Sequence, residues 1–199
     1  MSDDVQVALI QAAVPFLGLA LLVALVVVNR AALRGMLGRA TRVTFAGVGI
    51  EVAADGLRHA ARPVSAAVSQ RLRERALRLA DRTAGMRVLW ADDEPLGNSA
   101  ERSFLRAAGA VVVNVTSTAA ALEQLELDDW DVVVTDFSRG GDEGAGIELA
   151  TQARAKGIVV PFVGYVGTSV PGTPAPFHSV QSTPDGLIDA VLDLADRRA

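Results

Sequence analysis

Arg87-Val-Leu-Trp-Ala-Asp92-Asp93-Glu94-Pro95 and, further on, Asp131-Val-Val-Val-Thr-Asp136 decide how this chain folds. Each is a short apolar, β-branched run that stops at carboxylates, the pattern of a buried parallel strand whose C-terminal end opens into a polar site. In doubly wound α/β folds, ligands bind in the crevice beyond those strand ends. Asp92, Asp93 and Asp136 gathered there would repel one another unless a cation neutralised them, and the hard, oxygen-seeking Mg²⁺ is the expected ion.

Strand and helix signals alternate around these two runs. Strands are expected over 86–91, 110–115, 131–136, 159–166 and 178–182, and helices over 95–108, 117–128, 144–156 and 184–197. Such alternation predicts a five-stranded parallel sheet covered on both faces. Ser117-Thr118 and Thr183-Pro184-Asp185 mark helix starts, the second with Pro near the first helical position. Trp90 and Trp130 are expected in or beside the core, and Tyr165 and His178 in structural roles.

With its βα unit repeated five times, Asp92-Asp93 after the first strand and Asp136 placed 43 to 44 residues later, this region resembles the receiver domain of two-component response regulators. Gly146-Ile-Glu-Leu149 at the start of the next helix adds to the likeness, which covers residues 86–199. The resemblance implies a flavodoxin-like fold in which Asp136 accepts a phosphoryl group from a histidine kinase while Asp92, Asp93 and Asp136 hold Mg²⁺. In-line phosphoryl transfer needs a carboxylate nucleophile and positive charge on the equatorial oxygens. The departures fall on that positive charge and its neighbours. Receivers carry Ser or Thr at the end of the fourth strand, where this chain has Val166, with Thr168 two residues later. They carry Lys after the fifth strand, where this chain has Thr183; the only lysine is Lys156, on a helix. Arg139, in the long loop Phe137–Ala145, is the candidate replacement, since a guanidinium suits phosphate geometry. Thr168, Thr183 and Arg139 are thus the candidate phosphate contacts.

Ahead of this region the composition changes. The chain of 199 residues has 50% hydrophobic residues and no cysteine, which excludes disulfides, thiol catalysis and cysteine-held zinc. Mean hydropathy is +0.31, high enough to ask for a membrane segment. Val5–Val28 is uncharged for 24 residues and includes Leu17, Leu21, Leu22 and Leu25, long enough for a tilted transmembrane helix. Asp3 and Asp4 in front of it argue against a cleaved signal peptide. Arg30, Arg34, Arg39 and Arg42 follow, so positive-inside bias predicts a single-pass protein of the bacterial inner (cytoplasmic) membrane, N-terminus outside. Residues 29–85 carry 11 Arg against 4 Asp/Glu, whereas residues 86–199 carry 8 Lys/Arg against 17 Asp/Glu. An acidic domain repels phosphate backbones, so nucleic acid is not an expected partner. The basic region suits anionic lipid.

Residues 42–54 alternate with period two on both sides of Gly47, which predicts a short β-hairpin or a surface loop. Ser65–Ala84 reads as a helix capped by Ser65, with Val68, Leu72, Ala76 and Leu79 on one stripe and Arg71, Arg75, Arg78 and Arg82 opposite. That stripe either packs on its own domain or self-associates. The expected organisation is therefore a membrane anchor (1–29), a juxtamembrane hairpin and basic linker helix (30–85) and a receiver-like domain (86–199).

Three functions compete. The chain is a membrane-anchored receiver-like signalling module, a pseudo-receiver acting without phosphate as an oligomeric membrane scaffold or effector (as in stress or phage defence), or a nucleotide-hydrolysing enzyme on a TIR-like fold. The enzyme ranks last, because no glycine-rich phosphate cradle follows a strand. Partners are expected to be the bilayer, a protein such as a histidine kinase, and further copies of the chain.

Overall fold

The computed structural model describes residues 47–94, 96–168 and 172–198. Five strands form a parallel sheet of order β2-β1-β3-β4-β5: β1 Arg87–Ala91, β2 Val111–Val115, β3 Val132–Thr135, β4 Phe162–Tyr165 and β5 Ser179–Gln181. Among the described residues seven helices accompany them: α1 (residues 47–58), α2 Ala66–Arg78, α3 Ala80–Thr83, α4 Ser99–Ala107, α5 Thr118–Leu127, α6 Ala145–Ala155 and α7 Pro184–Asp196.

Strand alternation divides the sheet's side chains between two cores. Val88, Trp90, Val132, Val134 and Val163 face Leu105 of α4 and Leu187 and Val191 of α7. Leu89, Ala91, Val133 and Phe162 face Leu125 of α5 and Leu149 and Ala153 of α6. β1 and β3 are buried on both faces, which is why their sequences run as continuous β-branched and apolar residues. Ser117 and Thr183 cap α5 and α7 by accepting from the backbone N–H of Ala120 and Gly186. The expected helix at 95–108 starts only at Ser99; ahead of it Gly97 N–H donates to Glu94 O.

A further helical layer lies outside α4 and α7. Ile50, Ala54 and Leu57 of α1 and Leu72 and Ala76 of α2 are buried against Phe104 and Ala108 and against Ile188 and Leu192 of α7. Both α4 and α7 are thus apolar on two sides, one toward the sheet and one toward this collar. The expected hairpin is corrected here. Residues 47–58 are helical because Ile50, Ala54 and Leu57 recur at helical spacing and all three are buried. Val48 and Val52, which supplied the period-two pattern, are 58% and 68% exposed. The hairpin's first half, residues 42–46, lies outside the described residues.

The stripe Val68, Leu72, Ala76 and Leu79 of the expected 65–84 helix packs on its own domain, with Ser65 as cap. Its arginines meet acids of α7: Arg71 and Arg75 each donate to Asp189 at 2.6 Å, Arg75 also reaches Asp193, and Arg82 reaches Asp196. The pairs advance together along both helices, so α2 and α7 run in the same sense. Arginines of the basic stretch and aspartates of the acidic one thus pair across this seam. The more exposed of these pairs, such as Arg82–Asp196, contribute only about 0–1 kcal/mol each, so the buried leucines hold the collar and the charges set its register. The described residues from 47 onward form one compact unit. Among the described residues no helix is long and apolar enough to cross a membrane; the span expected over Val5–Val28, with Leu17, Leu21, Leu22 and Leu25, lies outside them.

Candidate functional site

The register of the central strands brings the acids together. Ala91 pairs with Thr135, and Asp136 N–H donates to Ala91 O at 3.2 Å, so Asp92 and Asp136 leave neighbouring strands at the same level. Beyond them opens a polar cavity of about 420 Å³ whose wall includes Asp92, Asp93, Glu94 and Asp136. The close approach of the next helix sets Asp136's place. A Cβ on Gly146 would lie 2.4 Å from Asp136 O and 2.9 Å from Phe137 Cα, so only glycine lets α6 begin there.

The three aspartates differ in what holds them. Asp92 is 2% exposed. Its Oδ1 accepts from Glu94 N–H at 2.8 Å, and its Oδ2 accepts from Asn98 Nδ2 at 2.7 Å and Trp90 Nε1 at 3.4 Å. The buried Arg102 guanidinium stands 3.7 Å from the same Oδ2 and lies over the Trp90 ring. Burial depresses the Arg102 pKa, against the opposing pull of Asp92. Asp93 is exposed, and its Oδ2 accepts from Gly140 N–H at 2.7 Å, tying the first acidic loop to the long loop after β3. Asp136 is half-buried and accepts a long bond of 3.4 Å from Ser138 N–H, with Phe137 N–H also directed at it. Burial pushes its carboxyl above the ordinary value, with the Asp92 charge adding to the shift while backbone N–H groups and Arg139 oppose it.

Oxygen donors and mutual repulsion suit a hard divalent cation in kind. In arrangement they do not, since among the described residues no group of three or more Asp, Glu or His side chains is placed to hold a metal. Asp92 has both oxygens engaged by protein donors.

Of the expected phosphate contacts, one lines the cavity. Arg139 lines the cavity but is 5% exposed and turned into its own loop. It donates through Nη1 to Thr135 Oγ1 and Asp136 O, and through Nη2 to Thr118 Oγ1 and Ala145 O. Every Nη hydrogen is thus committed, and the guanidinium pins the loop. Thr183 caps α7 and is not on the cavity wall, and Thr168 is exposed beyond Gly167, which is the wall residue of that segment. Val166, at the hydroxyl position, is buried.

Comparison of the coordinates with solved structures finds response-regulator receiver domains. The chemotaxis response regulator CheY4 of Vibrio cholerae superposes with a TM-score of 0.50 at 17% identity, covering 56% of this chain and 99% of that one. The fold is a receiver fold. The response regulator TrrA of Thermotoga maritima, in complex with Mg²⁺ and BeF, matches at 21% identity and TM-score 0.48 over 55% of this chain and 98% of its own. The receiver domain of a sensor histidine kinase of Pseudomonas aeruginosa, with a magnesium ion in its active-site cleft, matches at 20% identity and TM-score 0.48 over 55% and 96%. No protein-family model matches the sequence, and no curated protein does.

Within this receiver fold the structure adds groups that the sequence did not single out. Asn98 and Arg102 hold Asp92 from α4, and the buried Tyr165 hydroxyl donates to Glu101 Oε1 at 2.8 Å. Burial and the Glu101 charge push the Tyr165 phenol well above its usual range. Arg62, from the loop between α1 and α2, also reaches the cavity wall. The placement of Asn98 six residues after Asp92, at the head of a helix, was a usable signal; Arg62 offered none, because it lay in a stretch read as linker.

Proposed function

We propose that this chain is a receiver-type signalling module in which Asp136 accepts a phosphoryl group. The carrying observation is the cavity itself: four carboxylates line it at the carboxyl ends of β1 and β3, and Asp136, directly after β3, meets only backbone N–H groups, whereas Asp92 is engaged by Asn98 and Trp90 and Asp93 by Gly140. In the transfer, a carboxylate oxygen of Asp136 attacks the phosphorus of a phosphohistidine or of acetyl phosphate. The P–N or P–O bond breaks, its electron pair leaves with imidazole or acetate, and an acyl phosphate remains. Asp136 must be ionised to attack, so its raised carboxyl favours transfer toward higher pH. Asp92 keeps Asn98 and the first loop in place, and Asp93 holds the β3–α6 loop through Gly140. No step of the transfer is assigned to the Mg²⁺ expected at Asp92, Asp93 and Asp136, because both Asp92 oxygens are engaged by protein donors. The donor of the phosphoryl group would be a histidine kinase, and the Val5–Val28 segment would tether the module to the cytoplasmic membrane with the receiver unit inside. Copies of the chain would then meet in the membrane plane. No turnover beyond gain and loss of this phosphoryl group is proposed.

A second reading is favoured by a specific observation. Asp92 is paired with Arg102 and Asn98, Val166 is buried, and Thr183 is a helix cap, which suits a pseudo-receiver that acts as a scaffold without phosphate. Titration of the full chain with beryllofluoride in the presence of Mg²⁺, followed by Trp90 fluorescence, separates the two, because the Trp90 indole donates to Asp92. The signalling reading expects a saturable change in the parent and none in Asp136→Asn. Silence in both leaves the scaffold.

A further inference from the structure

A phosphoryl group on Asp136 adds negative charge to a cavity already lined by four carboxylates, so some cation must face it. Among the described residues two guanidinium groups reach the wall, and they are employed differently. Arg139 has all four Nη hydrogens on Thr135, Asp136 O, Thr118 and Ala145 O, and it is buried, so it cannot turn outward without dismantling its loop.

Arg62 is only partly buried. Its Nη1 donates to Val166 O at 3.2 Å and, at the limit of a hydrogen bond, to Ser182 O at 3.4 Å. Its Nη2 donates to Asn98 Oδ1 at 2.9 Å, and its plane covers the Tyr165 ring at 4.2 Å from the centroid. A guanidinium has five N–H donors in a planar fork. Here the Nε hydrogen and one Nη2 hydrogen have no protein acceptor among the described residues. Val166 and Ser182 follow the ends of β4 and β5, so the group sits at the same sheet edge as Asp136, across the strands where the receiver pattern lacks its hydroxyl and its lysine. Stacking on Tyr165 and the Asn98 bond pre-organise it there, while two weak carbonyl bonds leave it free to re-aim.

We propose that Arg62 is the anion-binding group of the cavity, contacting the oxygens of a phosphoryl group or phosphate-like anion at Asp136. The cation comes from outside the receiver unit, on the loop of the α1–α2 collar. Anion occupancy and seating of the collar are therefore linked, and the linkage is reciprocal: an anion tightens the loop, and a lifted collar weakens anion binding. Because Arg62 also bonds Asn98, which bonds Asp92 Oδ2, the collar senses the acidic pair as well. This inference rests on the reading of Asp136 as the phosphoryl acceptor.

The test uses the full chain in detergent, with Mg²⁺ and beryllofluoride as the probe. Arg62→Gln, which keeps a donor for Asn98 but no charge, is expected to weaken binding by about tenfold or more, the usual loss for a charge-assisted pair. Arg62→Lys is expected to recover part of it. Parent-like affinity in Arg62→Gln overturns the assignment while leaving Asp136 as acceptor. A parent that binds no beryllofluoride overturns the acceptor reading and this one with it. A second measurement needs no variant: hydrogen exchange of the amides in residues 59–65 of the parent should slow when the anion is added. Unchanged exchange despite binding at Asp136 also overturns the proposal.

Discussion

Leu72→Ala tests whether the collar belongs to the receiver unit or merely precedes it. The Leu72 side chain is wholly buried against Ile50, Leu57, Phe104, Ile188 and Leu192. Truncating such a leucine costs about 2–5 kcal/mol, part lost transfer energy and part cavity. In a folded unit of this size that is a fall of about 4–20 °C in Tm. The assay is urea unfolding of the full chain followed by tryptophan fluorescence and far-ultraviolet circular dichroism. Trp90 and Trp130 lie in the two clusters against the sheet, away from the collar. A collar that is structurally part of the unit lowers both transitions together. Gln70→Ala on the exposed side of α2, where Gln70 bonds only Glu74, should stay within about 0.5 kcal/mol of the parent. A tryptophan transition unmoved by Leu72→Ala, with helical signal lost separately, would refute the shared core.

Other consequences are open to measurement. Asp136 has a folded-state carboxyl above its unfolded value, so the folded form binds the proton more tightly, and stability falls as pH rises from the unfolded value through the folded one. Asp136→Asn should therefore be more stable than the parent at neutral pH and lose that advantage below the ordinary carboxylate range; denaturant midpoints across pH 3–8 read this, and a constant difference refutes it. Arg139→Ala should lower stability by about 2–3 kcal/mol by unpinning the loop after β3, yet leave beryllofluoride affinity less affected than Arg62→Gln does. If Arg139→Ala is the more damaging of the two to binding, the roles given to the two arginines are reversed.

Much of this protein can be read from local pattern. The runs Val88–Ala91 and Val132–Thr135 are continuous apolar strands because both their faces are covered, and the carboxylates following them mark the strand ends that share a cavity. Caps at Ser65, Ser117 and Thr183 are short-range chemistry and were legible for the same reason. Residues 47–58 were not. Val48, Ile50 and Val52 alternate, and what makes the segment a helix is the burial of Ile50, Ala54 and Leu57 on α4 and α7, a contact made across a long stretch of chain. The charge asymmetry between halves was plain in composition, but only the side-by-side packing of α2 and α7 turned it into a seam of Arg–Asp pairs.

Sequence by itself determined the alternating β and α order and the position of Asp92, Asp93 and Asp136 just after apolar strands, because strand period is local; the register that sets them at one level is tertiary. Only the tertiary structure decided how the two arginines on the cavity wall are engaged. Arg139, close to Asp136 in sequence, is consumed by its own loop, whereas Arg62 is delivered through the packing of a helical layer on α4 and α7. Proximity along the chain says nothing about which donors remain free once every nearby acceptor has been satisfied.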